Sequence, residues 1–107
     1  MAPRDEVITA GALPGRLAAL DGWHGDTGGI TKTYALGYDD AIRAVGDIGQ
    51  AAIELEHRPD LDIRWDRLTV HLTTHTAGDV VTELDFLLIE RLEQIAGSYG
   101  ATTAPRG

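Results

Sequence analysis

The sequence contains no cysteine, which excludes disulfides, thiolate metal sites and a cysteine nucleophile. Lys32 is its one lysine, and its eight arginines are scattered from Arg4 to Arg106 without forming a run. With 17 acidic residues against 9 basic ones the formal net charge is −8, a sign that repels a phosphate backbone, so nucleic acid is not an expected partner. No apolar run approaches the length of a membrane span, and Met1-Ala2-Pro3-Arg4-Asp5-Glu6 lacks the apolar stretch of a secretion signal. No membrane partner is expected, and the cytoplasm is the expected location.

What is there is ordinary for a globular domain. The 107 residues, 43% apolar and 24% charged, suit a single domain over 1–107 with one core, small enough that burial by self-association is plausible. Residues 1–12 and 98–107 have little periodicity and much small sequence, and are expected to be loose.

Local patterns predict three helices and two hairpins, the early one folding about residues 25–29. A short helix runs from Leu13 to Leu20, with Pro14 near its start and Asp21-Gly22 ending it. Trp23 follows as a core residue, residues 25–29 read as a glycine-rich turn with His24 exposed beside it, and the alternation from Ile30 to Leu36 predicts a strand. From an N-cap at Asp39 or Asp40, Ile42, Val45, Gly49, Ala52, Ile53 and Leu55 predict a central helix to Glu56. Gly46 and Gly49 should each cost that helix on the order of 1 kcal/mol relative to alanine, which predicts close packing against a sheet as compensation.

Leu61 to Trp65 and Leu68 to Thr73 alternate and predict a hairpin turning at Asp66-Arg67. Thr82 opens the last helix, with Asp85 three residues on as a capping box and Leu84, Leu88, Leu92 and Ile95 on one face. Phe86 and Ile89 widen that face, as either a subunit interface or a thick core would.

The hairpin also predicts a site. Counting outward from a turn at Asp66-Arg67 pairs Trp65 with Leu68, Pro59 with Thr74 and Arg58 with His75. Opposed residues have Cβ atoms about 4.5–5.5 Å apart, so Arg58, His75 and adjoining His57 are expected to line one small pocket.

These residues resemble the pterin-4a-carbinolamine dehydratase family. Its members carry an acidic residue four before a His-His-Pro, then an aromatic residue, a Thr-His, and an aspartate opening the last helix. Here stand His57-Arg58-Pro59, Trp65, Thr74-His75 and Asp85, with Trp23 where the family places an early tryptophan, so the resemblance spans roughly residues 13–97. It implies an α+β sandwich, within the broad α/β class. A four-stranded antiparallel sheet packs three helices on one face, in the order α-β-β-α-β-β-α, and the local patterns independently allow this. It also implies a homodimer or homotetramer.

The implied reaction removes water from a 4a-hydroxytetrahydropterin and needs no metal or organic cofactor. Expelling hydroxide requires a proton donor at the leaving oxygen and an acceptor for the N5 proton, work that an imidazole titrating near neutrality can do either way. Carried over, His57 and His75 are the acid/base pair, and Pro59, Asp60, Thr73, Thr74 and Thr76 line the substrate. Arg58 stands where the family has its second histidine and, being always protonated, can donate hydrogen bonds and charge but not act as a base. Ile53 occupies the family's acidic position, with Glu54 and Glu56 nearby, and the turn at residues 76–81 is one residue longer than usual.

These departures leave two further readings open. One is a paralogue whose Arg58 anchors an anionic biosynthetic substrate for dehydration, proton transfer or cyclisation. The other is a non-catalytic dimeric binding or assembly module. Several features have plainer explanations: Asp85 as a helix cap, Arg58 as a partner of Glu54, Glu56 or Asp60, and Trp23 and Trp65 as core or pocket wall. His71 and His75 would stand about 13 Å apart on a strand, too far to share a zinc ion.

Overall fold

In the computed structural model, which describes residues 5–105, the elements run α1 (Leu13–Ala18), β1 (His24–Asp26), β2 (Gly29–Ala35), α2 (Tyr38–Leu55), β3 (Asp60–Arg64), β4 (Arg67–Leu72), α3 (Glu83–Ser98) and β5 (Thr102–Thr103). The antiparallel sheet has the order β1-β2-β4-β3, and β5 adds to β2 through Tyr34 opposite Thr103 and Ala35 opposite Thr102. The expected α+β architecture is thus present, with one short strand more than the resemblance implied.

Alternation decides the layering. Ile30, Lys32 and Tyr34 of β2 and Leu68, Val70 and Leu72 of β4 are buried against the helices, while Thr31, Thr33 and Thr69 lie on the opposite, open face. Leu88, Ile89 and Leu92 of α3 and Ile48 of α2 complete the core, and each such side chain contributes about 1.5–3 kcal/mol by leaving water. Phe86 is also buried, beneath the Arg16 guanidinium, so the wide apolar face of α3 serves a thick core.

Lys32 departs from this apolar rule. It is 3% exposed, donates to both Glu93 oxygens at 2.9 and 3.1 Å, and lies 4.5 Å from the centre of the Tyr34 ring. The Tyr34 hydroxyl also donates to Glu93. Burial first, then that hydrogen bond, pushes its pKa far above the usual tyrosine range, so it stays a donor.

Four expectations are corrected. First, α2 begins at Tyr38 after an uncapped Gly37, which places Asp39 and Asp40 within the first turn, where they favour the helix dipole rather than cap it. Its buried stripe is Ala41, Ala44, Ile48, Ala51 and Ala52, whereas Ile42 and Ile53 are exposed. Gly46 and Gly49 face open space, not the sheet, because the alanines on the neighbouring stripe provide the close approach instead.

Second, the β3–β4 hairpin turns at Trp65-Asp66. Arg64 opposes Arg67, Ile63 opposes Leu68 and Leu61 opposes Val70, two residues away from the expected register. A slip of two keeps every side chain on its face, so the apolar pattern fits both registers equally well. Pairing stops at Asp60 opposite His71, and the expected ladder contact between Arg58 and His75 does not form. Third, Trp65 is not core but sits at the hairpin tip with φ +52° and 86% exposure, where it walls a shallow surface pocket with Tyr38 and not the expected site.

Fourth, the described ends are tied down. Val7 bridges Thr82, Ile8 is buried, β5 pairs with β2, and Ala104 is buried with its N–H donating to Thr33. The expectation for residues 1–4 and 106–107 lies outside the described residues. Among the described residues no helix is long and apolar enough to cross a membrane.

Candidate active site

His57 is placed by the way α2 ends. The Glu56 N–H donates to the Ile53 carbonyl at 3.2 Å and the His57 N–H to the Ala52 carbonyl at 2.9 Å, the paired bonds of a Schellman closure. Glu56 takes the left-handed conformation this closure requires (φ +53°, ψ +41°), usually a glycine's role. The chain therefore reverses sharply, and His57 turns inward to 7% exposure.

There it meets the start of α3. His57 Nε2 lies 2.5 Å from Asp85 Oδ1, and Asp85 is fully buried. The other carboxylate oxygen, Oδ2, accepts from the Thr82 N–H at 2.9 Å and from the Thr74 hydroxyl at 2.9 Å. Thr82 Oγ1 accepts from the Leu84 N–H at 3.2 Å and lies 2.7 Å from Thr74 Oγ1.

Proton accounting orders these bonds. A carboxylate only accepts, so the Thr74 proton goes to Asp85, and Thr82 must donate to Thr74. Each donor in this chain points toward the buried charge, an arrangement in which successive bonds strengthen one another. Asp85 thus forms the expected capping box and also fixes the His57 ring with its proton on Nε2.

His75 follows Thr74 directly but has left the strand. Residues 75–77 form a 3₁₀ turn closed by Ala77 N–H to Thr74 O and Gly78 N–H to His75 O. His75 Nδ1 lies 2.5 Å from Asp79 Oδ1, and this pair is about 70% exposed. Asp79 is left-handed at φ +60°, immediately after left-handed Gly78.

The other expected residues differ in their surroundings. Thr73 donates to the Gly28 carbonyl at 3.0 Å, tying the site to the β1–β2 turn, while Thr74 is buried in the network and Thr76 is exposed. Pro59 is half-buried and Asp60 exposed. Arg58 is exposed and bonds to no other described residue.

Glu54, one of its anticipated partners, instead accepts from Arg91 at 2.8 Å, and that hydrogen bond holds the Glu54 carboxyl below its usual range. Among the described residues no three His, Asp or Glu side chains converge as a metal site. Sequence reasoning missed Asp79 and took Asp85 for a cap alone. No spacing signal marked Asp85 beyond its cap, because the burial of Thr74, Thr82 and Asp85 that demands partners arises only in the fold.

A histidine–aspartate–threonine network thus sits where the central helix, the sheet and the last helix of this α+β layer meet. The profile described as "Pterin 4 alpha carbinolamine dehydratase" matches residues 6–95, and the chain belongs to that family.

A Streptomyces avermitilis protein named "Putative pterin-4-alpha-carbinolamine dehydratase" is 38% identical over 98 residues, covering 91% of this chain and 97% of its own. A Streptomyces coelicolor protein of the same name is 40% identical over 87 residues, covering 80% and 86%. The crystal structure of a "transcriptional coactivator/pterin dehydratase" from Brucella melitensis superposes with a TM-score of 0.77 at 29% identity, covering 84% of this chain and 98% of that one.

Proposed function

We propose that the protein is a hydro-lyase that removes water from a 4a-hydroxytetrahydropterin, with His57 and His75 as acid and base. In this reaction the C4a–O bond breaks as a proton reaches the leaving hydroxyl. The N5–H bond gives its proton to the second histidine, and a C4a=N5 double bond forms. Pro59, Asp60, Thr73, Thr74 and Thr76 line the pterin, and Arg58 orients or polarises it.

The observation that carries this reading is the Asp85 bridge. One carboxylate holds His57 and, through Thr74, the residue next to His75, so both histidines hang from one rigid junction. The test follows dehydration of a 4a-hydroxytetrahydropterin. The protein should accelerate it, and His57→Ala or His75→Ala should each lower kcat/KM by about 10² or more. A rate equal to buffer, or one untouched by His75→Ala, overturns the proposal.

Arg58 supports a second reading. An exposed guanidinium without a partner among the described residues suits a carboxylate or phosphate, and thus an anionic biosynthetic substrate in the same site. Retained dehydration of neutral pterins in Arg58→Gln would count against it. Self-association is proposed too, because Tyr38, Ile42 and Ile53 leave apolar surface exposed along α2. Sedimentation should then report a dimer or tetramer that Ile42→Glu disrupts.

A further inference from the structure

We propose that Asp79 is a positioning residue that fixes the tautomer of His75, a role resting on the reading of His75 as an acid/base group. The chemistry begins with the 2.5 Å contact between His75 Nδ1 and Asp79 Oδ1. A carboxylate has no proton to give near neutrality, so the hydrogen in that contact belongs to Nδ1. The neutral ring then presents a bare lone pair on Nε2, the reverse of the arrangement an unpartnered imidazole prefers.

His57 is held by the opposite nitrogen, since its Nε2 is engaged by Asp85. The two rings therefore present different free atoms, Nδ1 on His57 and Nε2 on His75. Which nitrogen of a histidine carries out proton transfer is set by the bond the other one makes.

The backbone supplies a second, independent argument. Asp79 is left-handed at φ +60°, where glycine is at ease and a Cβ is crowded, and Gly78 has already provided one such residue at φ +92°. Its N–H donates to the Thr74 carbonyl at 3.1 Å while the Thr74 N–H donates to Val80 at 2.9 Å, so the loop locks this conformation from both sides. Glycine would satisfy that geometry with less strain. The one side-chain bond Asp79 makes among the described residues is to His75. A side chain kept where glycine is easier, and spent on one histidine, points to use rather than to loop closure.

Asp79→Gly separates the two roles because it removes the carboxylate and relieves the backbone together. Nitrogen-15 NMR of the imidazoles at neutral pH should find His75 protonated on Nδ1 in the unaltered protein and chiefly on Nε2 in Asp79→Gly, with Tm unchanged or higher. Asp79→Asn, which tolerates the left-handed backbone and keeps a carbonyl acceptor, should retain most of the Nδ1–H form. Dehydration should fall roughly three- to tenfold in kcat for Asp79→Gly, with KM little changed, and recover in Asp79→Asn.

A His75 ring protonated on Nε2 in the unaltered protein, or an identical tautomer in Asp79→Gly, overturns the proposal. The NMR result stands apart from turnover. An Nδ1–H ring that Asp79→Gly converts, in a protein that does not dehydrate pterins, upholds the positioning role and removes only the dehydratase reading.

Discussion

His57–Asp85 and His75–Asp79 are the same two groups at the same 2.5 Å separation, yet they do different work. The first pair is sealed, with side chains 7% and 0% exposed, and its aspartate accepts two further hydrogen bonds. The second is open to water at 70% and 69%, and its aspartate serves one ring. Desolvation makes the difference, because an interior carboxylate must be fully satisfied, while an exposed one is solvated whether or not its partner stays. The buried pair therefore belongs to the fold as much as to the site, whereas the exposed pair can be altered with little risk to the fold.

Asp85→Ala should break this comparison most severely, since it strips the cap from α3 and leaves His57, Thr74 and Thr82 buried with unmatched polar atoms. A loss of about 3–5 kcal/mol in urea unfolding is expected. A loss below about 1 kcal/mol would show that the network contributes little to the fold. His57→Ala should cost about 1–3 kcal/mol by orphaning the carboxylate, against less than about 0.5 kcal/mol for His75→Ala. Equal losses in the two would erase the distinction between sealed and open.

Glu56→Gly should raise stability by about 0.5–1 kcal/mol, because the left-handed turn that delivers His57 no longer opposes a Cβ. Unchanged or lower stability in urea would mean that the Glu56 side chain matters.

The smallest effect concerns an outer pair. Arg16, by its hydrogen bond first, holds Glu83 below the usual carboxylate range. A carboxyl lowered in the folded state adds stability above its unfolded pKa and loses it as pH falls through the lower folded value. Because both side chains are partly exposed (40% and 31%), the gain should be at most about 0.5 kcal/mol. Comparing the stability of Glu83→Gln with the parent between pH 7 and pH 3 measures it; a parent advantage that grows on acidification would reverse the sign.

Much of this was legible in the sequence where local chemistry is decisive. Thr82 and Asp85 announce a capping box at fixed spacing, and Ile30 to Leu36 alternates as a half-buried strand does, with Lys32 the one charged residue on its inward side. The spacing of His57, Thr74 and His75 carried the family.

Illegible features were those for which two solutions satisfy the same pattern. The alanine and isoleucine stripes of α2 lie about 100° apart, and only packing against the sheet chooses the smaller side chains. The hairpin accepts registers two residues apart with the same faces buried, so Trp65 moved to the tip and His75 out of the ladder. Nor could spacing show the Asp79 contact, which depends on two consecutive left-handed residues.

The ion pair between Lys32 of β2 and Glu93 of α3 makes the chain its own chemical clock. Lys32 is the one lysine, and its amine is held by Glu93 and the Tyr34 ring in a cleft that β5 borders. An acylating reagent reaches that nitrogen only when this corner opens, so a single mass increment on the Lys32 peptide times the opening under native conditions. With no cysteine and no second lysine, an α-amine is the main competing site, and peptide mapping separates it from Lys32.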